Sequence, residues 1–71
     1  MRMAIAKTLQ DHREKKGFSK TFVADQTGKT ISTISQIESE GRGLTIEALV
    51  DICGVLDVKV EAIIKRAGKD G

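Results

Sequence analysis

Four short polar side chains crowd two turns' worth of sequence: Ser32, Thr33, Ser35 and Gln36. Hydroxyls and a carboxamide can each donate and accept hydrogen bonds. They are mediocre helix formers, because they compete for nearby backbone groups. A helix loaded with them is a local compromise, which points to an outer face that is used. Other chemistry is sparse. Catalysis needs a nucleophile, a base and an orienting group converging in a pocket. The chain holds one histidine, His12, and one cysteine, Cys53. His12 falls on the charged side of its segment and reads as a surface residue. Cys53 falls on an apolar stripe and reads as a small buried thiol. Two such residues fall short of the roughly four ligands of a structural zinc site. No metal site, no cofactor, no small-molecule ligand and no enzyme activity are expected. Gly28-Lys29-Thr30 matches only the tail of a phosphate-binding loop, because Val23 stands where that loop needs an earlier glycine. Gly41-Arg42-Gly43 is no dinucleotide fingerprint and reads as a flexible turn.

The elements that must position these residues follow from apolar spacing and punctuation. From Arg2 to Lys16, Ala4, Ile5 and Leu9 form one helical stripe, and Gly17 can take a left-handed stop. A second short block opens at Ser19, an N-cap residue, and ends at Thr27-Gly28. Phe18 and Val23 have the spacing of a hydrophobic staple around that cap. A third block opens at Thr30 and runs to about Glu38, with Ile34 and Ile37 inside. A fourth, Thr45 to Leu56, carries Ile46, Leu49, Val50, Cys53 and Leu56 at helical spacing. Gly54 interrupts it at a cost of about 1 kcal/mol relative to alanine, which points to close packing against a neighbour. The fifth, Val58 to about Ala67, reads two ways. Val58-Lys59-Val60-Glu61-Ala62 alternates like a strand able to pair with a second copy, whereas Val60, Ile63, Ile64 and Ala67 fit a helix, the favoured reading.

At 71 residues the chain is one small domain. A chain this short buries only about 60 % of the surface its unfolded form exposes. A lone cysteine excludes an internal disulfide, which leaves dimerisation as the remaining common support. The expected organisation is a single domain over 1–67 with a short, basic, disordered tail over 68–71. No apolar run approaches a membrane span, and the N-terminus lacks a signal-peptide apolar block, so a cytoplasmic chain is expected. Two phenylalanines as the only aromatics argue against a stacking platform for single strands. Net charge is +2 but unevenly spread. Residues 1–20 hold six bases against two acids, residues 21–64 three against seven, and the tail three against one. Basic ends can meet a polyanion, or form a solvated helix face.

Two short helices around Thr27-Gly28-Lys29 have the spacing of a helix-turn-helix, with Ala24 at the helix contact and Gly28 in the turn. Here the sequence resembles the XRE-like family, the helix-turn-helix domains of phage repressors and Cro proteins. The resemblance covers Leu9 to Ile64. It is carried by Leu9, Arg13, Gly17-Phe18-Ser19, Val23-Ala24, Gly28, Thr30, Ser32-Thr33-Ile34-Ser35 and Ile37-Glu38, then by Leu49, Ile52, Leu56, Val58 and Ile63. Thr33 to Glu38 is its most specific stretch. It implies an all-α, compact five-helix lambda-repressor-like domain that binds double-stranded DNA as a homodimer. The second motif helix enters the major groove. By position, Ile31, Ser32, Thr33 and Gln36 match the family's base readers. Gln36 can pair bidentately with adenine, and the methyls of Ile31 can contact a thymine methyl. Ser19, Lys20, Lys29, Thr30 and Arg42 are the expected phosphate contacts. Arg13 and Glu38 match a structural ion pair between the first helix and the end of the recognition helix. Val55, Val60, Ile63 and Ile64 are the expected dimer interface.

The implied function is a sequence-specific transcriptional regulator, a dimeric repressor of Cro or restriction–modification-controller type on a palindromic operator. The alternative is a protein-interaction module, such as a short antitoxin or an adaptor on the same fold. No extended tail is present to wrap a toxin, and the hydroxyls of the third block suit base edges better than an apolar interface. Two departures stand out. Phe22 occupies a position that is usually polar in the family and suggests a partner-facing or self-associating spot. The loop Glu40 to Leu44, which carries Arg42, lacks the family's usual proline and is expected to be more mobile.

Overall fold

A computed structural model of the chain describes the backbone of residues 2–70 and the side-chain surroundings of residues 2–68. Five helices follow one another: α1 (Arg2–Lys16), α2 (Lys20–Thr27), α3 (Ile31–Glu40), α4 (Ile46–Leu56) and α5 (Val60–Asp70). There is no strand among the described residues.

Side chains just outside three helices set their starts. Ser19 Oγ accepts the Phe22 N–H at 3.0 Å, Thr30 Oγ1 the Thr33 N–H at 3.1 Å, and Thr45 Oγ1 the Ala48 N–H at 3.1 Å. Each satisfies a donor that the helix itself leaves orphaned, worth about 1 kcal/mol. The turn between α2 and α3 depends on Gly28, whose φ of 71° is left-handed and cheapest without a Cβ. The Lys29 N–H then reaches back to the Ala24 carbonyl at 2.9 Å, which closes the end of α2. Asp57 ends α4 in the same left-handed region, φ 55°, where aspartate is among the better-tolerated residues.

The last block resolves as a helix. Its alternating reading needs Val58, Val60 and Ala62 on one buried face, but Ala62 is exposed and the two valines only half-buried. Ile63 and Ala67, four residues apart, are both fully buried, as one stripe of α5 packed against α1. The helix continues to Asp70, so residues 68–70 extend α5 where a disordered tail is expected from the sequence. Gly71 lies outside the described residues. Gly54 is not a close-packing site: it is exposed, and a Cβ there would meet nothing within 4 Å.

α1 packs on α3, α4 and α5, and α2 packs on α3 and α4. The core between them is Leu9 from α1, Val23 and Ala24 from α2, Ile34 and Ile37 from α3, the inner stripe of α4 and Ile63 from α5. Cys53 sits inside that stripe of α4, and burial pushes its thiol pKa up. In α1, Ala6 is fully buried while Ala4 and Ile5 are half-buried. The core thus fixes α2 and α3 against each other and leaves the outer side of α3 uncovered.

Candidate nucleic-acid interface

The inner side of α3 is spent on Ile34, Ile37 and Glu38, all buried. Rotation by 100° per residue turns Ser32 and Gln36 to the opposite side, and both are exposed. Ile31, the first residue of α3, is exposed beside them. Thr33 is half-buried, and its hydroxyl shares a 2.9 Å hydrogen bond with Thr30 Oγ1. It therefore belongs first to the cap. Ser39, also exposed, extends the polar stripe by nearly another turn and donates to the Ser35 carbonyl at 2.8 Å. Sequence reasoning missed Ser39 by ending the block near Glu38. Gly41, a natural stop, was the signal that the helix runs to Glu40.

The candidate phosphate groups surround the motif. Lys20 opens α2 and Lys29 lies in the turn, and both are half-buried. The hydroxyls of Ser19 and Thr30 are occupied as caps, so what these positions offer to an anion is backbone N–H groups at two helix starts. Arg42 is exposed, with Nε 3.7 Å from Glu40 Oε2. Such an exposed pair is worth little and leaves the guanidinium free to rearrange.

The ion pair between α1 and α3 is buried. Arg13 Nε donates to Glu38 Oε2 at 2.7 Å and Arg13 Nη2 to Glu38 Oε1 at 3.0 Å, a bidentate fork. Arg13 Nη1 donates to the Phe18 carbonyl at 2.8 Å. One guanidinium thereby ties the end of α1, the loop before α2 and the C-terminal half of α3. The hydrogen bonds to Glu38 raise the guanidinium pKa against the opposing effect of burial, and the charges of Glu38 and Glu14 add to the rise. The carbonyl partner has no side-chain signature and was not visible in the sequence. Every buried side-chain nitrogen or oxygen among the described residues has a partner.

The expected dimer residues divide. Ile63 is fully buried in the core of its own chain, so it has no surface to give a partner. Ile64 is exposed, and Val55 and Val60 are half-buried. Ile46 and Val50 on α4 are exposed large apolar groups, although they share helical spacing with the buried Leu49, Cys53 and Leu56. Phe22 is exposed and packs against Phe18 with ring centroids 4.6 Å apart and the planes tilted by 44°. His12 is half-buried. Among the described residues no cluster of potential ligands can hold a metal ion, and no helix is long and apolar enough to cross a membrane.

Comparison with known proteins fits this geometry. The model of the helix-turn-helix family matches residues 9–63. The chain belongs to the XRE-like helix-turn-helix family. The family is one of DNA-binding transcription regulators. The fold is similar to the crystal structure of the clp gene regulator ClgR from Corynebacterium glutamicum, with a TM-score of 0.90 and 22% identity over 97% of this chain and 90% of that one. It is also similar to the N-terminal DNA-binding domain of SinR from Bacillus subtilis, with a TM-score of 0.77 and 29% identity over 90% of this chain and 93% of that one. No curated protein matches the chain. The family match spans α2, the turn at Gly28 and α3 whole, and with them all the candidate base-reading and phosphate residues.

Proposed function

We propose that this protein is a cytoplasmic, sequence-specific regulator of transcription that binds double-stranded DNA as a dimer. In this reading α3 lies in the major groove and represses from a near-palindromic operator, as a Cro-like or restriction–modification-controller protein does. The observation that carries the reading is the uncovered polar side of α3. Ser32 and Gln36 are exposed on a helix whose opposite side is fixed by core contacts and by the Arg13–Glu38 fork. Gln36 offers a donor and an acceptor that match the major-groove edge of adenine, and Ser32 can bond several base edges. Thr33 braces the start of the helix through its bond to Thr30 and, with Ile31, completes the set of base-reading candidates. Around them, Lys20, Lys29, Arg42 and the helix starts at Ser19 and Thr30 supply phosphate contacts, which fix register without reading sequence.

A two-fold dimer holds its two recognition helices about 34 Å apart, so half-sites lie about 10 base pairs from centre to centre. The ClgR and SinR likenesses support the regulator class. Selection from a random duplex library tests the reading, followed by affinity measurements on the winner across a salt series. An enriched near-palindrome bound far more tightly than random DNA is the expected result. No enrichment, with only weak and steeply salt-dependent binding, overturns it. The exposed Phe22 would then be the place to seek a protein partner.

A further inference from the structure

Arg2 is a cation that the fold holds in place without giving its charge a partner. Its stem lies across the cap of α3: Gly41 is buried, and a Cβ there would stand 2.7 Å from Arg2 Cγ and 3.0 Å from Arg2 Cδ. At Gly17, Gly28, Gly43 and Gly54 a Cβ would meet nothing within 4 Å. With its stem packed and the residue as a whole exposed, Arg2 presents its guanidinium to water. It forms no ion pair among the described residues. The other cations close to α3 are answered locally. Arg13 is forked to Glu38, Arg42 lies 3.7 Å from Glu40, and Lys7 shares a groove with Asp11. The groove that Arg2 lines is formed with Ile5, Leu44, Thr45, Ile46 and Leu49, and it holds no carboxylate.

Resting on the reading of α3 as the groove helix, this placement acquires a role. A helix with its side chains is about 10–12 Å across, and the major groove is about 12 Å wide. Whatever flanks α3 therefore comes against the phosphate walls. α1 and α2 each pack on α3 but not on one another, so they flank it on different sides. The phosphate contacts expected from the sequence are unevenly spread between those sides. Ser19, Lys20, Lys29 and Thr30 belong to the start of α2 and the turn before α3, and Arg42 alone follows the C-terminal end of α3. That end carries a partial negative charge on its orphaned carbonyls, which repels a phosphate unless a cation covers it. Arg2 lies over it, carried there by α1. We infer that Arg2 is a phosphate contact on the wall of the groove opposite the one met by Lys20. The recognised group is a DNA phosphodiester, and the contact fixes the seat of α3 without reading sequence.

The test uses the full chain and the duplex selected with it. Arg2→Gln keeps the start of the stem and removes the charge, and Arg2→Lys restores a charge. Affinity is measured across a salt series on the selected duplex and on random DNA, with the thermal midpoint as the check on folding. Each phosphate of a half-site is also replaced singly by an uncharged methylphosphonate. The expected result is a salt slope lower by about one ion in Arg2→Gln, so that the affinity lost between about 50 and 200 mM salt shrinks roughly three- to fourfold. Selected and random duplexes weaken by the same factor, the midpoint is unchanged, and Arg2→Lys recovers the wild-type slope. One phosphate whose neutralisation weakens wild-type binding falls silent in Arg2→Gln, and it lies across the major groove from the one that Lys20→Ala silences. An unchanged slope and phosphate scan overturn the inference and leave the regulator reading intact. So does a lower midpoint with an unchanged slope, which confines Arg2 to the cap of α3. A silenced phosphate on the same wall as that of Lys20 overturns the placement. Absence of any sequence preference overturns the regulator reading and this inference with it.

Discussion

Arg13 does at the residue scale what a larger core would do elsewhere. Its fork to Glu38 and its bond to the Phe18 carbonyl join three segments through one side chain. Removing one partner of a buried pair leaves an uncompensated charge and costs about 3–5 kcal/mol. That is a large share of the roughly 5–15 kcal/mol that holds a domain together. Arg13→Ala should therefore lose most of its cooperative thermal transition before any DNA contact is tested. Arg13→Met with Glu38→Leu should recover part of the loss, because neither charge then remains. Recovery is incomplete because the Phe18 carbonyl keeps no donor. An Arg13→Ala protein with an unchanged midpoint would contradict this account. Gln36 is the opposite case, exposed and without a structural duty. Gln36→Ala should keep the wild-type midpoint and lose about 1–3 kcal/mol on the selected duplex, with relaxed preference at one base pair. Equal affinity and equal preference would place the base reading on other residues. Cys53 gives a pH signature. Burial raises its pKa in the folded chain, so the unfolded chain releases the thiol proton first as pH climbs above about 9. Stability contributed by the protonated thiol is complete below that pH and falls as pH rises toward the folded value. The stability advantage of the wild type over Cys53→Ala should narrow in the alkaline range, and a constant difference would show that Cys53 does not titrate with folding.

At the scale of elements, two glycines that look alike in the sequence have opposite roles. Gly41 stands at φ 69°, and a Cβ there would lie 2.7 Å from Arg2 Cγ, so any side chain meets both backbone strain and α1. Gly54 is inside α4 with open space around it. Gly54→Ala should therefore raise the denaturation midpoint by an amount worth about 0.5–1 kcal/mol, from lower unfolded-state entropy and better helix propensity. A loss of stability instead would mean that the outer side of α4 is closely packed in solution. The contrast explains what the sequence could and could not disclose. Ser19, Thr30, Thr45 and Gly28 act within a few residues of themselves, so the starts of α2, α3 and α4 and the turn of the motif were legible as local chemistry. The Arg13–Glu38 pair was legible only through family resemblance, since 25 residues separate its members. α5 reads two ways because residues 58–62 alternate like a strand while Val60, Ile63, Ile64 and Ala67 fit the favoured helix. Packing of Ile63 and Ala67 on α1 decides between them, and that is a tertiary fact. Ser32 and Gln36 do lie exposed on the outer side of α3, but the block read from the sequence ends about two residues short of Glu40, which leaves out Ser39.

At the scale of the whole molecule, the proposed dimer is where the balance of surfaces matters most. Three side chains remain for an interface on α5 and the end of α4: Ile64 exposed, Val55 and Val60 half-buried. Only Ile64 among them is exposed, at 40%, so the apolar area they offer is small. A standard stable interface takes about 800 Å² from each partner. Ile63 adds nothing to it, because it is already spent inside the monomer. Two copies should therefore associate weakly in free solution and be held together mainly by adjacent half-sites on one duplex. In that reading DNA would supply the missing free energy by keeping both copies at high effective concentration, so a modest contact should show as cooperativity. Sedimentation of the free protein at micromolar concentration should report a monomer, and titration of a full palindrome should be steeper than titration of a single half-site. Ile64→Glu should abolish that steepness while leaving half-site affinity unchanged, because the residue lies on α5, away from the motif helices. A tight dimer without DNA that survives Ile64→Glu would move the interface elsewhere. The exposed Ile46 and Val50 of α4 are then the next apolar surface to change, with Gly54→Ala as the matching probe of the same helix side.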